Sequence, residues 1–362
     1  MLTDKLLSAS LLAATVVSTA AAQTSVPPSA PDLLYVGRIV KSNPRSYKFS
    51  YPGTTVIAAF DGIGVKLHCK PGSGYFMVQV DGGEPFKVAF RGERDSLVQV
   101  ATALPHGRHT LRAMYSIEGY EYLPEFRGLV LDGDGRLLTP PALPERKIEF
   151  IGNSITCGYG SEGTDPNEHF CFELENHYIT YAQITARALN AQAQVVARSG
   201  IGVYRNFGGP KAGTPQDNMP AQYEYTLYND KSEVWDFSRY TPDVICINLG
   251  TNDLSTNNYD VRRLKDGYKT FLATVRRHNP DAKIVFLCGS MLGGKELEIA
   301  MKTLDEVAAE AAKAGDANVF RFNFTPQDGA LGYGSDWHPS RWQHEKMAGE
   351  LTAFLRQLMG WF

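Results

Sequence analysis

The 362-residue chain carries almost no excess charge of either sign, because 36 Lys and Arg residues face 39 Asp and Glu residues for a net charge of −3. A balance this close to neutral gives no basic surface for nucleic acid and no general attraction to an anionic membrane. Cysteine is scarce as well: there are five, with no Cys-x-x-Cys pair and no tight histidine cluster. We therefore expect neither a nucleic-acid partner nor a bound metal.

Long apolar runs are also scarce, and the one candidate lies at the N-terminus. Residues 6–17 are apolar, Lys5 precedes them, and the small residues 20–22 follow. The run is too short to cross a bilayer, whereas a basic start, an apolar centre and a small-residue cut site are typical of an export signal. We predict that residues 1–22 are a signal peptide cleaved after Ala22, that the mature protein is secreted or periplasmic, and that no segment spans a membrane.

The few cysteines leave one question open. Cys157 and Cys171 flank a single loop, and in an oxidising compartment they could pair. Two free thiols are an equal alternative. Cys246 lies inside an apolar run and is predicted to be buried. The sequence does not indicate an oligomeric state.

Length and composition favour two domains. The chain exceeds one average domain, and 43% hydrophobic residues suffice to build cores. In residues 33–138, short runs rich in Val, Phe, Tyr and Ile alternate with Asp-Gly turns. This pattern predicts a β-sandwich of the jelly-roll kind. Residues 23–32 are predicted to be a flexible leader, and the proline-rich segment 139–144 a stiff link.

The pattern changes in residues 146–362, where apolar strands alternate with helices. Such alternation predicts an α/β domain whose parallel sheet is covered by helices on both faces. In the helix predicted near 261–278, apolar residues recur at the spacing of one helical face. In sheets of this kind, ligands gather at the carboxyl ends of the strands. Strands are predicted at 147–151, 193–198, 243–249, 283–288 and 319–324.

Two side chains at these strand ends are suited to nucleophilic catalysis. Ser154 follows the first strand after Gly152, which lets the backbone turn sharply. His338 follows the fifth strand and precedes Pro339. We predict Ser154 as the nucleophile and His338 as its base. The structural alternative for Ser154 is a helix N-cap, a role that is compatible with catalysis.

Donors for an oxyanion also follow strand ends. We expect them to be the Ser154 amide, a glycine amide in the segment 199–202 and the side-chain amide of Asn252. The alternative is that the glycines merely shape a turn and that Asn252 caps a helix. No step of this chemistry needs a metal or an organic cofactor.

Ser154 in Gly-Asn-Ser-Ile-Thr, Gly202, Asn252 in Gly-Thr-Asn-Asp and His338 in Asp-Trp-His-Pro-Ser together resemble the four blocks of the SGNH hydrolases. With a β domain ahead of them, they are most similar to carbohydrate esterase family 2. The resemblance implies a three-layer α/β/α, flavodoxin-like catalytic domain. It also implies a secreted serine esterase that removes O-acetyl groups from plant polysaccharides, such as acetylated xylan or glucomannan, through an acyl-enzyme.

The chain departs from the SGNH pattern at two positions. Asn153 stands where the first block normally has Asp, and it keeps the shape of that residue without its charge. The acid that often lies three residues before the histidine is replaced by Ser335. We therefore expect His338 to be oriented either by the Asp336 carboxylate or by the Trp337 backbone carbonyl.

Other assignments from the resemblance are a glycine donor and a sugar contact. Spacing favours Gly202 over Gly200 as the donor. Trp337 adjoins the base, and its ring could pack on a sugar face, so it is the predicted substrate-binding residue. Two other functions stay open: a lipid or thioester hydrolase of the same superfamily, and a carbohydrate-binding protein that has lost catalysis.

Overall fold

The computed structural model describes residues 22–362. The predicted signal peptide, apart from Ala22, lies outside the described residues. No helix in the part of the chain that is described is long and apolar enough to cross a membrane.

The N-terminal domain is a sandwich of two antiparallel sheets with a shared apolar core. Its strands are β1 (Gln23–Val26), β2 (Leu34–Val36), β3 (Tyr47–Lys48), β4 (Thr55–Asp61), β5 (Val65–Cys69), β6 (Gly74–Val80), β7 (Phe86–Phe90), β8 (Leu97–Ala101), β9 (Arg108–Tyr115), β10 (Glu125–Asp132) and β11 (Arg136–Leu138). One sheet has the order β1-β10-β5-β8, with β3 also on β10. The other has the order β11-β4-β9-β6-β7, with β2 on β4. Alternating buried and partly exposed residues along strands such as β5 fit a sheet with one face in the core.

The first sheet begins earlier than the sequence predicted. Residues 23–26 were expected to be part of a flexible leader, but they form β1 and pair with residues 129–132 of β10. Val26 is buried in the core of the sandwich. The backbone hydrogen bonds of β10 and this apolar contact fix the segment, which no local sequence pattern indicated.

The C-terminal domain is built on a five-stranded parallel sheet. Its strands, with a small hairpin formed by the third and fourth, are β12 (Arg146–Gly152), β13 (Ala191–Ala197), β14 (Tyr225–Leu227), β15 (Asp230–Val234), β16 (Val244–Asn248), β17 (Lys283–Cys288) and β18 (Val319–Asn323). The sheet has the order β13-β12-β16-β17-β18. The order reverses between β12 and β16, and ligands of doubly wound sheets bind where this reversal occurs.

Helices cover both faces of this sheet, which confirms the three-layer α/β/α fold. They are α1 (Ser154–Cys157), α2 (Tyr181–Ala188), α3 (Met219–Gln222), α4 (Thr251–Leu254), α5 (Val261–His278), α6 (Gly294–Lys313) and α7 (Arg341–Met359). One apolar core lies between the sheet and α5 with α6, and another lies between the sheet and α2 with α7. The helix α5 has the predicted bounds, because Asp260 caps its first turn and an apolar face from Leu264 to Val275 is buried.

The two domains are joined by buried polar contacts. The guanidinium of Arg38 reaches from the N-terminal domain to the Glu149 carboxylate of β12, 3.2 Å away, and both side chains are buried. The His177 amide donates to the Ser116 carbonyl at 2.7 Å. Gly53 has a positive φ of 79°, and a Cβ there would lie 3.0 Å from the His177 ring. Glycine therefore allows the domains to approach closely at this point.

The five cysteines are all free thiols. Cys157 is buried and Cys171 is exposed, so the bridge that the sequence left open is not formed. Cys246 is buried inside β16, as predicted.

Candidate active site

Ser154 is the first residue of α1, directly after the end of β12. A side chain at Gly152 would collide with Thr156 of the same turn, so a glycine is required here. Asn153 caps the helix, because its Oδ1 accepts a hydrogen bond of 3.1 Å from the Ile155 amide. The N-cap is therefore Asn153 and not Ser154. Asn153 keeps the acceptor that an aspartate would supply at this position.

The structure brings Ser154 and His338 together. The distance from Ser154 Oγ to His338 Nε2 is 2.9 Å. The other ring nitrogen, Nδ1, lies 3.1 Å from the backbone carbonyl oxygen of Asp336. A carbonyl only accepts, so Nδ1 carries the proton and Nε2 is left to accept the hydrogen of the serine hydroxyl.

The environment keeps this imidazole neutral. Burial lowers the pKa of His338 to about 4, although the Asp336 and Ser335 carbonyls act in the opposite direction. A general base must be unprotonated at the working pH. At neutral pH His338 is in the state that this role requires.

The Asp336 carboxylate makes no hydrogen bond to His338, which corrects the first of the two expected arrangements. It accepts hydrogen bonds from the Tyr159 hydroxyl at 2.9 Å and the Phe170 amide at 3.0 Å. Although burial acts to raise it, these bonds hold the pKa of Asp336 below its usual value. The second expectation is also wrong, because His338 Nδ1 faces the Asp336 carbonyl, while the Trp337 carbonyl accepts from Gln327 Nε2 at 2.8 Å.

An aromatic row lies against the imidazole. The ring of Tyr159 is 4.2 Å from that of His338 and stacks on Phe170 at 4.0 Å. Phe170 contacts Phe172, which in turn contacts Tyr122 of the N-terminal domain. The row thus connects the N-terminal domain with the base.

The side chain of Asn252 lies at the start of α4, after β16. Its Nδ2 donates to the Ile201 carbonyl at 2.7 Å and keeps a second hydrogen for another acceptor. The amide of Gly202, the predicted glycine donor, is already engaged, because it donates to Asn206 Oδ1 at 3.1 Å. The Gly200 amide makes no hydrogen bond within residues 22–362. The geometry therefore favours Gly200, the alternative that spacing disfavoured.

The indole of Trp337 is exposed beside the base. Half of its surface, 54%, is open to solvent, and its ring lies 5.1 Å from that of Tyr333. Exposed rings of this kind can pack against a sugar face.

Comparison with known families covers both domains. Residues 35–141 match the family described as Carbohydrate esterase 2 N-terminal, and residues 150–346 match the GDSL-like Lipase/Acylhydrolase family. The solved structure of a family two carbohydrate esterase from Clostridium thermocellum, in complex with cellohexaose, is 40% identical with a TM-score of 0.84. That match covers 91% of this chain and 100% of the other.

The chain belongs to carbohydrate esterase family 2. The resemblance inferred from the four sequence blocks and the preceding β domain is thereby confirmed.

Curated relatives of this family 2 esterase carry esterase names. The cellulase/esterase CelE of Acetivibrio thermocellus is 40% identical over 334 residues, which are 91% of this chain but only 40% of that protein. An acetylxylan esterase / glucomannan deacetylase of Cellvibrio japonicus is 29% identical over 339 residues, or 92% of this chain and 90% of the relative.

Asp253 lies beside the candidate site, and the sequence analysis did not single it out. It is buried beside Asn252, and its carboxylate accepts the amides of Val203, Tyr204 and Arg205 at 2.8 to 3.1 Å. It thereby fixes the turn that follows Gly200–Gly202. The available sequence signal was its position directly after Asn252. An acid that is buried there needs several hydrogen-bond donors around it.

One buried cluster of this esterase consists of side chains of the types that bind metal ions. Ligand atoms of Glu118, Cys157 and Glu175 lie within 4.8 Å of one another. Burial and the nearby Glu118 charge raise the pKa of the Cys157 thiol, which keeps it protonated. The cluster offers one thiol and two carboxyl groups, which is one ligand fewer than the four of a structural zinc site.

Proposed function

We propose that this family 2 esterase removes acetyl groups from polysaccharide hydroxyls through an acetyl-enzyme. The hydrogen bond of 2.9 Å between Ser154 Oγ and His338 Nε2 carries this proposal. It joins a nucleophile and a base at the carboxyl end of the parallel sheet, where ligands of such folds bind.

The reaction then has two steps. In the first, Ser154 Oγ attacks the acetyl carbonyl carbon while His338 Nε2 accepts the hydroxyl proton. The bond between that carbon and the sugar oxygen breaks, and the imidazolium returns the proton to the sugar oxygen. In the second step, water attacks the acetyl-Ser154 ester with His338 again as base. Acetate leaves, and the Ser154 hydroxyl is restored.

The oxyanion of each step would be held by three donors. The Ser154 amide has no acceptor within its own helix, because it is the first residue of α1. The second Nδ2 hydrogen of Asn252 and the amide of Gly200 complete the set. We expect Asn252→Ala to lower kcat by about 10²–10³ with acetyl esters, the usual cost of losing one such donor.

The acetylated polysaccharide is proposed to be xylan or glucomannan. The exposed Trp337 and the partly buried Tyr333 beside it, next to the base, support a sugar-binding surface. The names of the Cellvibrio japonicus relatives support the same substrates. We also propose that residues 1–22 direct export, so that the enzyme meets these polymers outside the cytoplasm. N-terminal sequencing of the exported protein should find Gln23 first.

The test is acetate release from acetylated xylan and acetylated glucomannan. The wild type should release acetate from one or both, and Ser154→Ala should release none above background. Ser232→Ala, on the exposed β14–β15 hairpin, is the matched serine control and should behave as the wild type. Equal acetate release by Ser154→Ala and the wild type would contradict the mechanism. Faster hydrolysis of long-chain esters than of acetyl esters would favour a lipid hydrolase instead.

A further inference from the structure

Two buried carboxyl groups near the nucleophile have no role in the mechanism above. Glu118 belongs to the N-terminal domain, in the loop between β9 and β10, and Glu175 precedes the short helix His177–Ile179. Both are fully buried, and their oxygen atoms lie within 4.8 Å of each other and of the Cys157 sulfur. Burying carboxylates without compensation is costly, so their arrangement calls for a physical cause.

Glu118 contacts both segments that form the site. Its Oε2 accepts the Ser199 amide at 2.6 Å, and the Cys157 thiol donates to the same atom at 3.6 Å. Ser199 directly precedes Gly200, and Cys157 is the last residue of the helix that begins with Ser154. One side chain of the N-terminal domain is therefore attached to the nucleophile helix and to the glycine turn.

Glu175 lacks such partners. Neither of its carboxylate oxygens has a hydrogen-bond partner of good geometry within residues 22–362, and only the Glu118 amide acts on it as a backbone donor. Burial and the Glu118 charge raise the pKa of Glu175 well above its usual value, and the Glu118 amide and the Lys87 ammonium only partly oppose them. Burial also raises the pKa of Glu118, whereas the Ser199 amide and Arg198 lower it. The donors on Glu118 thus favour Glu175 as the protonated member.

Two carboxylates this close in a buried site cannot both be ionised at low cost. One proton on the pair removes this repulsion. The other charged or titratable groups that face the pair are Arg198, Lys87, Tyr115, Tyr120, Tyr122 and Tyr159.

We propose that the pair carries a single proton, on Glu175, and that the ionised Glu118 beside it holds the Ser199 amide and the following Gly200 in position for the oxyanion. Both are positioning residues, since neither touches the reacting atoms. This inference rests on the proposed esterase mechanism for its kinetic part, but its proton is measurable without any substrate.

The first test is the pH dependence of unfolding. In the unfolded chain Glu175 ionises near its ordinary pKa, whereas the folded pair keeps its proton to higher pH. The wild type should therefore lose stability relative to Glu175→Gln as pH rises above about 4.5, by about tenfold in the unfolding equilibrium constant per pH unit, until the pair ionises. Glu173→Gln, in the same loop, is the control and should not reproduce this difference.

The second test separates positioning from folding. Glu118→Gln keeps an acceptor for Ser199 and gains a donor toward Glu175, so kcat with 4-nitrophenyl acetate should stay within about threefold of the wild type. Glu118→Ala leaves the Ser199 amide without an acceptor, and kcat should fall by about 10-fold to 10²-fold with little change in KM. Rescue by glutamine is not expected of a merely space-filling residue.

Three results would overturn the proposal. They are an equal pH slope in wild type and Glu175→Gln, equal kcat in Glu118→Ala and wild type, and about one equivalent of divalent metal in the purified protein whose removal by a chelator lowers Tm. Failure of the proposed function would look different: Ser154→Ala would still release acetate, while the pH slope of unfolding stayed as predicted.

Discussion

Asp336 has a left-handed backbone conformation with φ of 47°, and Trp337 follows with φ of 63°. This pair of uncommon conformations carries the Asp336 carbonyl to His338 Nδ1 and its carboxylate to Tyr159. Non-glycine residues rarely adopt such values, so the surrounding contacts must hold them in place. The imidazole is thus oriented by a backbone atom that no substitution at 336 removes.

The Asp336→Asn variant tests this assignment. The carbonyl that contacts His338 is retained, and the loss falls on the bonds to Tyr159 and Phe170, so kcat/KM for 4-nitrophenyl acetate should fall by less than about 10-fold. A carboxylate acting as the third member of a triad would cost about 10⁴. A loss of that size would show that the carboxylate, and not the carbonyl, orients the base.

The acidic limb of the pH–rate profile tests the state of His338. Burial lowers the pKa of His338 to about 4, so the neutral base persists above that value and is lost as pH falls through it. We expect kcat/KM of the free enzyme to be flat from about pH 7 down to pH 5 and to fall below that. An inflection near 6.5, the ordinary value for histidine, would contradict the account, provided that circular dichroism shows the protein folded throughout.

At the scale of elements, the glycine turn depends on one acid at the start of a neighbouring helix. Asp253 of α4 accepts three consecutive amides of the segment 203–205, and Arg205 Nε donates back to the Asp253 carbonyl at 2.9 Å. These bonds tie the turn after β13 to the helix after β16. The position of the oxyanion donors is therefore a property of two elements together.

Substitution of Asp253 by alanine should weaken both stability and catalysis. It leaves buried amides without an acceptor, so the free energy of unfolding should fall by about 2–3 kcal/mol in urea denaturation. The displaced turn should lower kcat by about 10²-fold. Asp260→Ala, which removes the N-cap of α5, is the control and should cost about 1 kcal/mol with kcat unchanged. Unchanged kcat in Asp253→Ala would separate the turn from the site.

The sequence predicted the elements of the C-terminal domain well for a clear reason. Buried parallel strands and amphipathic helices have local signatures, so β17 and α5 were predicted with their observed bounds. Strand ends in such a sheet converge, which is why Ser154 and His338 could be paired from 184 positions apart. Donor orientation has no such signature: Asn206, which occupies the Gly202 amide, lies in an irregular loop.

At the scale of the whole molecule, the N-terminal domain is part of the site. Glu118 contacts the glycine turn, and Tyr122 ends the aromatic row that begins at His338. Neither contact follows from a sequence pattern, because each joins residues that are far apart in the chain and lie in loops. The β domain could be recognised from sequence, but its contribution to the site could not.

The Arg38–Glu149 pair should make the two domains unfold together. Arg38 is fully buried, lies over the rings of Tyr223 and Trp235, and bonds Glu149 of the central sheet. Arg38→Ala leaves that carboxylate without its buried partner and should cost about 3–5 kcal/mol. We expect calorimetry to show a single transition for the wild type and a broadened or split transition for this variant. Arg136→Ala, at an exposed pair with Asp61, should change Tm little.

The central claim is that Ser154 carries the acetyl group during turnover, and mass spectrometry of the quenched enzyme tests it most directly. After rapid acid quenching during hydrolysis of an acetyl ester, peptide mapping should find one added acetyl group on the peptide that contains Ser154. The same experiment with Ser154→Ala should find none. Acetate release without any acetylated Ser154, or an acetyl group found on another residue, would contradict the account.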